Sequence, residues 1–163
     1  MERVSAAPRS RAQRRRDTEH RLTHDIDVWV ASASADAAPY LVPLSFDWDG
    51  EALLVATPTG SPTGRNLAAT RTVRLGLGHT RDVSMIDGEV EVLEIDALPQ
   101  QRGDRLAART GFDPRVLATR TTGSASPRAD EGEPDVLLEA VEIEPGDAGG
   151  DREGGPASQM ETR

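Results

Sequence analysis

Between residues 25 and 95, apolar and polar positions alternate with a period of two in short runs, the pattern of β-strands. Ile26, Val28 and Val30 alternate with Asp25, Asp27 and Trp29. Ser32–Pro39 reads as a turn, although it lacks a glycine. Tyr40–Trp48 is the second strand. Pro43 within it has no N–H to donate, which requires an edge or a bulge at that point. Asp49-Gly50 is a hairpin signal, and Ala52–Thr57 returns as a continuous apolar run, expected to be buried on both faces. Val73, Leu75 and Leu77 alternate with Arg74 and Gly76 as a fourth strand. Val83–Ile86 and Glu89–Ile95 flank Asp87-Gly88, which predicts a second hairpin. Its acidic positions Glu89, Glu91 and Glu94 oppose Val90, Val92 and Ile95, with a slip near Leu93.

Helical segments are few. Arg9–Thr23 is polar and helix-compatible, with Leu22 as its only large apolar residue. Thr63–Thr70 makes a short helix after the loop Pro58–Pro62. Leu98–Thr110 makes another, with Pro99 in its first turn and Gly111 at its end. Short strands joined by Asp-Gly turns, with three small helices, predict a mainly β chain, a β-barrel rather than a βαβ sheet. The organisation read from this is an N-terminal arm over 1–23, a barrel domain over 24–118 and a low-complexity acidic tail over 119–163. Residues 1–8, Thr121–Pro134 and Glu144–Arg163 carry too little apolar surface to offset chain entropy, so they are expected to be disordered. Between the last two lies Val136–Ile143, which can form another strand. No internal repeat is found.

Composition narrows the chemistry. At 163 residues the chain is one domain by length. Aromatic content of 3% means an aliphatic core, and the absence of cysteine excludes disulfides, thiolate metal sites and a Cys nucleophile. No apolar run approaches the roughly 20 residues of a membrane span, and the N-terminus lacks the apolar stretch of a signal peptide, which places the protein in the cytoplasm. All 19 basic residues are arginine, so any cationic role falls to Arg. The net charge of −9 divides into +4 over residues 1–23, −6 over the middle and −7 over residues 120–163. An acidic body argues against a nucleic-acid binder, and the arginines of Arg9–Arg16 read as a solvated arm. His20 and His24 stand four apart on a helical stretch without a third ligand, which reads as a solvated face. Trp29 and Trp48 read as packing residues.

The order of motifs carries more than composition does. Leu41-Val42-Pro43-Leu44-Ser45-Phe46, Trp48-Asp49-Gly50, Ala56-Thr57 and Ser61-Pro62-Thr63-Gly64-Arg65-Asn66-Leu67 follow one another. Then come Val73-Arg74-Leu75 and Gly78-His79-Thr80-Arg81-Asp82-Val83. Over roughly residues 20 to 118 the chain resembles the pyridoxamine 5′-phosphate oxidase-like family. That resemblance implies a split β-barrel of Greek-key type, a bound FMN or, alternatively, the deazaflavin F420, oxidoreductase chemistry on a small-molecule substrate, and a homodimer holding the flavin between subunits. It names neither the substrate nor a catalytic acid or base.

For the cofactor, Thr57, Ser61, Thr63, Arg65 and Asn66 gather hydroxyl, amide and cationic donors of the kind a phosphate needs, beside a helix N-terminus. An ordinary capped helix, with Ser61 or Thr63 as N-cap, is the alternative reading of the same residues. Family members often carry a lysine where this chain has Thr63, so the phosphate charge falls to Arg65, helped by Arg81. The backbone of Val42, Pro43, Leu44 and Ser45 is implied to face the flavin ring, and Arg81 with Asp82 to close the pocket from the partner subunit. Alternatively, the first four are plain barrel residues and the last two an exposed ion pair.

The tail departs from the resemblance. Family members continue past Gly111-Phe112-Asp113-Pro114 into an aromatic strand, whereas this chain has no aromatic residue after Phe112. Two explanations stand. Reading Arg120–Pro127 from the third base of each codon permits Tyr-Tyr-Trp-Phe-Arg-Val-Thr, as after a frame shift. Otherwise the tail has diverged and Val136–Ile143 supplies the closing strand. A non-catalytic flavin-binding protein and a cofactor-free remnant remain as functional alternatives.

Overall fold

The computed structural model describes residues 9–116 and the strand 138–145. The readings of disorder over 1–8 and 121–134, and beyond Pro145, lie outside these residues. Six strands form one antiparallel sheet: β1 (Asp27–Ala33), β2 (Pro39–Trp48), β3 (Leu53–Pro58), β4 (Thr72–His79), β5 (Asp82–Glu94) and β6 (Leu138–Pro145). β1 to β5 curl into the order β3-β2-β1-β4-β5, and β6 bridges the two outer strands to close a barrel. It meets Leu53–Pro58 of β3 on one side and Gly88–Glu94 of β5 on the other. Among the described residues the fold is mainly β, with the short helices α1 (Arg11–His24), α2 (Pro62–Thr70) and α3 (Gln100–Thr110). No described helix is long and apolar enough to cross a membrane.

Inward positions follow the alternation in the sequence. Val28, Val30, Phe46, Leu53, Val55, Val73, Leu75, Leu77, Ile86 and Val90 fill the barrel, joined by Leu22 of α1 and Leu67 of α2. The continuous apolar run of β3 is indeed buried on both faces: Leu53 and Val55 point inward, while Leu54 packs outside against Ile95, Leu98 and Leu106 under α3. Ile26 differs from expectation. It precedes β1 and is 47% exposed, although its carbonyl accepts the Phe46 N–H at 2.9 Å.

That bond fixes the phase of the β1–β2 ladder, in which Trp29 lies opposite Pro43. Hydrogen-bonded pairs recur at every second position, so Val42 and Leu44 direct their backbone groups at β1. Pro43 directs its missing N–H away from β1. On that side β3 pairs only with Phe46, Asp47 and Trp48. Proline therefore sits where no ladder bond is lost, as its position in the sequence required.

The second predicted hairpin is not where Asp87-Gly88 would put it. β5 runs unbroken through both residues, and the turn is Thr80-Arg81, with His79 opposite Asp82. Asp87 is instead the direct cross-strand partner of Arg74, whose guanidinium grips it through Nε at 2.6 Å and Nη2 at 2.9 Å. A local turn signal lost to a non-local ion pair. The Asp49-Gly50 turn does form, with Gly50 at φ 105° and Asp49 Oδ1 accepting the N–H groups of Glu51 and Ala52. In the glycine-free turn after β1, Ala37 takes φ 62°.

α3 lies across β2 through two arginines four residues apart on one face. Arg105 donates to the Trp48 carbonyl at 2.7 Å and lies 3.3 Å from the buried Asp47 carboxylate. Arg109 stacks over Phe46 at 4.9 Å and donates to the Leu22 and Asp25 carbonyls, both at 2.6 Å.

Candidate functional site

The β2–β3 ladder ends at the Phe46–Val55 pair. Beyond it the strands part, leaving Ser45 to Leu41 on one lip and Thr57-Pro58 on the other, with the start of α2 above the gap. Among the described residues, the β2 lip turns the Ser45 N–H and the Pro43 and Leu41 carbonyls away from β1, beyond the last pair that β2 makes with β3. Val42 and Leu44 are half-buried, and their backbone groups are committed to β1. Ser45 itself donates from Oγ to Asp27 Oδ1 at 2.6 Å.

The other lip is built by the N-terminus of α2. Ser61 is the N-cap, accepting the Gly64 N–H at 3.0 Å, and its hydroxyl meets Thr57 Oγ1 at 3.1 Å. Pro62, the first helical residue, has no N–H to satisfy. Gly64 is needed for contact: a Cβ there would stand 2.3 Å from the Pro58 carbonyl oxygen. The loop folds so tightly on the helix that only glycine fits. Thr57, Thr63 and Asn66 are buried, and Asn66 Nδ2 donates to Ser32 Oγ at 3.2 Å across the barrel mouth. Arg65 is exposed and turns its guanidinium back to the Gly60 carbonyl. It is the only charged residue within α2 (Pro62–Thr70).

Thr57, Ser61, Thr63, Arg65 and Asn66 thus lie together at the end of β3 and the start of α2, linked by the Thr57–Ser61 contact and the Ser61 cap. Arg81 does not join them. It is exposed at the tip of the β4–β5 turn, and β4 runs from the α2 end of the barrel to the other, about 25 Å at 3.3 Å per residue. Within one chain it cannot join the α2 site. The sequence reading missed Ser32. Continuing the inward series Val28, Val30 by two more residues would have found it.

A family model for pyridoxamine 5′-phosphate oxidase matches residues 20–135. The chain belongs to that family. Solved structures agree on the fold at low identity. An F420 reductase is 18% identical, with a TM-score of 0.53, over 78% of this chain and 92% of that one. HutZ, the heme storage protein from Vibrio cholerae, is 12% identical with a TM-score of 0.58, over 80% and 89%. PhzG from Burkholderia lata, solved with tetrahydrophenazine-1-carboxylic acid, is 17% identical with a TM-score of 0.51, over 82% and 74%. Among curated proteins nothing matches. Proteins of this fold thus include an F420 reductase and a heme storage protein.

Proposed function

We propose that this chain binds a phosphorylated flavin, FMN or alternatively F420, in the split between β2 and β3. With it the protein acts as a cytoplasmic oxidoreductase on a small-molecule substrate. The supporting observation is the gathering of Thr57, Ser61, Thr63, Arg65 and Asn66 at the end of β3 and the start of α2, beside the Leu41–Ser45 stretch of β2 that β3 does not pair with. The donor set fits a phosphate. Thr63 contributes a hydroxyl at the positive end of α2, and Arg65 the single cation. Because a phosphate monoester carries close to two negative charges, one cation leaves it incompletely neutralised, and Arg65 carries the larger share of recognition. The Ser45 N–H and the Pro43 carbonyl suit the donor–acceptor edge of the ring. When bound, the cofactor supplies hydride transfer. The chain's own residues hold and orient it, and no side chain is assigned as acid or base.

The partner proposed is a second copy. On the outer face, Pro43, Trp29, Gly76 and Met85 form one row across β2, β1, β4 and β5. Trp29 is 48%, Leu41 58% and Met85 55% exposed. A contiguous apolar row centred on a tryptophan has the character of an interface. The face adjoins the β2 edge, so a partner docked there would bring its own Arg81 toward a site that its chain-mate cannot reach.

Arg65→Ala is expected to weaken cofactor binding by roughly 1.5–3 kcal/mol, the range for a charged hydrogen bond. Titration of wild type and variant with FMN and F420 measures this, and an unchanged Kd would remove Arg65 from the site. A second reading, a flavin carrier without catalysis, is favoured by one observation: Thr57, Ser61, Thr63 and Asn66 include no titratable group. Steady-state reduction assays with a range of acceptors separate the two.

A further inference from the structure

α1 is attached to the barrel in two different ways along its length. Its C-terminal end is built in. Leu22 is its only buried residue, and Arg109 of α3 holds the Leu22 and Asp25 carbonyls. The preceding three turns present no apolar residue to the barrel. They meet it through polar groups alone, gathered at the turn end of the β4–β5 hairpin. One oxygen of Asp82 takes the Arg9 guanidinium at 2.5 Å and the other takes Arg21 at 2.8 Å. Ser84 receives Arg21 at 2.7 Å and Thr18 at 2.9 Å. Arg9 also bonds Asp17 at 2.6 Å, tying the residue before the N-cap to the second turn of the helix.

The seat for Arg21 is shaped by a missing side chain. Gly78 has φ 93°, and a Cβ there would lie 2.9 Å from the Arg21 guanidinium carbon. The arginine fills the notch left by the glycine, which explains why it is only 16% exposed while Asp82, its partner, is 45% exposed.

From this we infer that residues 9–21 form a releasable strap, hinged at Leu22 and fastened to the β4–β5 hairpin by Asp82. Ion pairs at this exposure are screened by salt, the Debye length falling from about 10 Å at 0.1 M to about 3 Å at 1 M. Once unfastened the segment cannot persist alone, because a helix of this length is marginal in water without tertiary support. Release therefore converts the strap to coil and uncovers Ser84 and the Gly78 notch, while the barrel stays closed. The inference does not depend on the cofactor reading.

Hydrogen exchange by mass spectrometry on the full chain, in 50 mM and 1 M NaCl, tests it. The α1 amides of residues 14–21 are expected to lose at least about tenfold protection at high salt, with β1 and β4 unchanged. Asp82→Asn is expected to produce the same selective loss at low salt. Asp87→Asn, which breaks the exposed Arg74 pair on the same strand, is expected to leave α1 as it was. Protection of residues 14–21 that responds to neither salt nor Asp82→Asn would overturn the inference. So would loss of protection in α1, β1 and β4 together, because α1 would then be part of the cooperative barrel.

Discussion

Ala37 and Gly64 show backbone and packing deciding identity in opposite senses. Ala37 holds φ 62° in the turn between β1 and β2, a conformation that costs a residue with a Cβ about 1–2 kcal/mol. Ala37→Gly is expected to stabilise the protein by about 0.5–1 kcal/mol after the greater chain entropy of glycine is counted. The Tm, measured by circular dichroism, should rise by a few degrees. At Gly64 the reverse holds. Gly64→Ala must push the Pro58 carbonyl away from α2, with a cost of about 1–3 kcal/mol, the range for overpacking. It should also disturb cofactor binding, because the same loop carries Ser61. The hydroxyls proposed to hold the flavin were legible as a donor-rich string, and Ser61 as one of two candidates for the N-cap of α2. That Ser61 also meets Thr57, and that Arg65 reaches back to Gly60, depends on how β3 meets α2, which no local pattern states.

Among the elements, strands read most faithfully from the sequence, because alternation reports directly on which face is buried. β4 has Val73, Leu75 and Leu77 inside as the pattern required. Turns were legible only where their chemistry was local. Asp49-Gly50 forms its turn, since Asp49 caps it without outside help. Asp87-Gly88 does not, because Arg74 on the neighbouring strand offers Asp87 a better partner, and the true turn at Thr80-Arg81 carries no turn signal. The closing strand lies at Leu138–Pro145, two residues beyond the expected Val136–Ile143 and overlapping most of it. This favours a diverged tail over a shifted reading frame.

α1 adds a dependence on pH. The Arg9 guanidinium bonds Asp82, and with Arg21 beside it holds that carboxyl below its usual value of 3.8. Arg9, then Gln13, does the same for Asp17. Both carboxylates therefore favour the docked helix at neutral pH. That contribution is complete above the ordinary carboxylate pKa and is lost as pH falls through the depressed folded values. Helicity of α1 should be constant from pH 7 to about 5 and fall below about 3.8, whereas Asp82→Asn should flatten much of the change. Acid titration of exchange protection in residues 14–21 measures it.

For the whole molecule, the proposed flavin site depends on barrel closure and on pairing with a second copy. β6 pairs with both β3 and β5, so a chain ending at Thr119 leaves two strand edges open and is expected to melt well below full length. A chain ending at Pro145 should keep the full-length Tm. Equal melting of all three would remove β6 from the closed barrel. Trp29→Lys places a charge at the centre of the exposed apolar row and should shift sedimentation from dimer to monomer while leaving far-ultraviolet circular dichroism unchanged. If the pocket is shared, cofactor should be released with it. The fold class was legible because a barrel needs only strands of the right period. The partner surface was not, because Trp29 alternates like any strand residue and only the closed sheet reveals that its face is uncovered.

Phosphate recognition at the start of α2 is tested most directly by comparing two ligands that differ in that group alone. Purified full-length protein should be titrated with FMN and with riboflavin, following quenching of flavin fluorescence, and with F420 in parallel. The expected result is saturable binding of one phosphorylated cofactor per chain, at least about tenfold tighter than riboflavin, with the difference largely abolished by Arg65→Ala. Equal affinity for FMN and riboflavin, or no binding of either FMN or F420, would contradict the assignment of the β2–β3 split as a phosphorylated-flavin site.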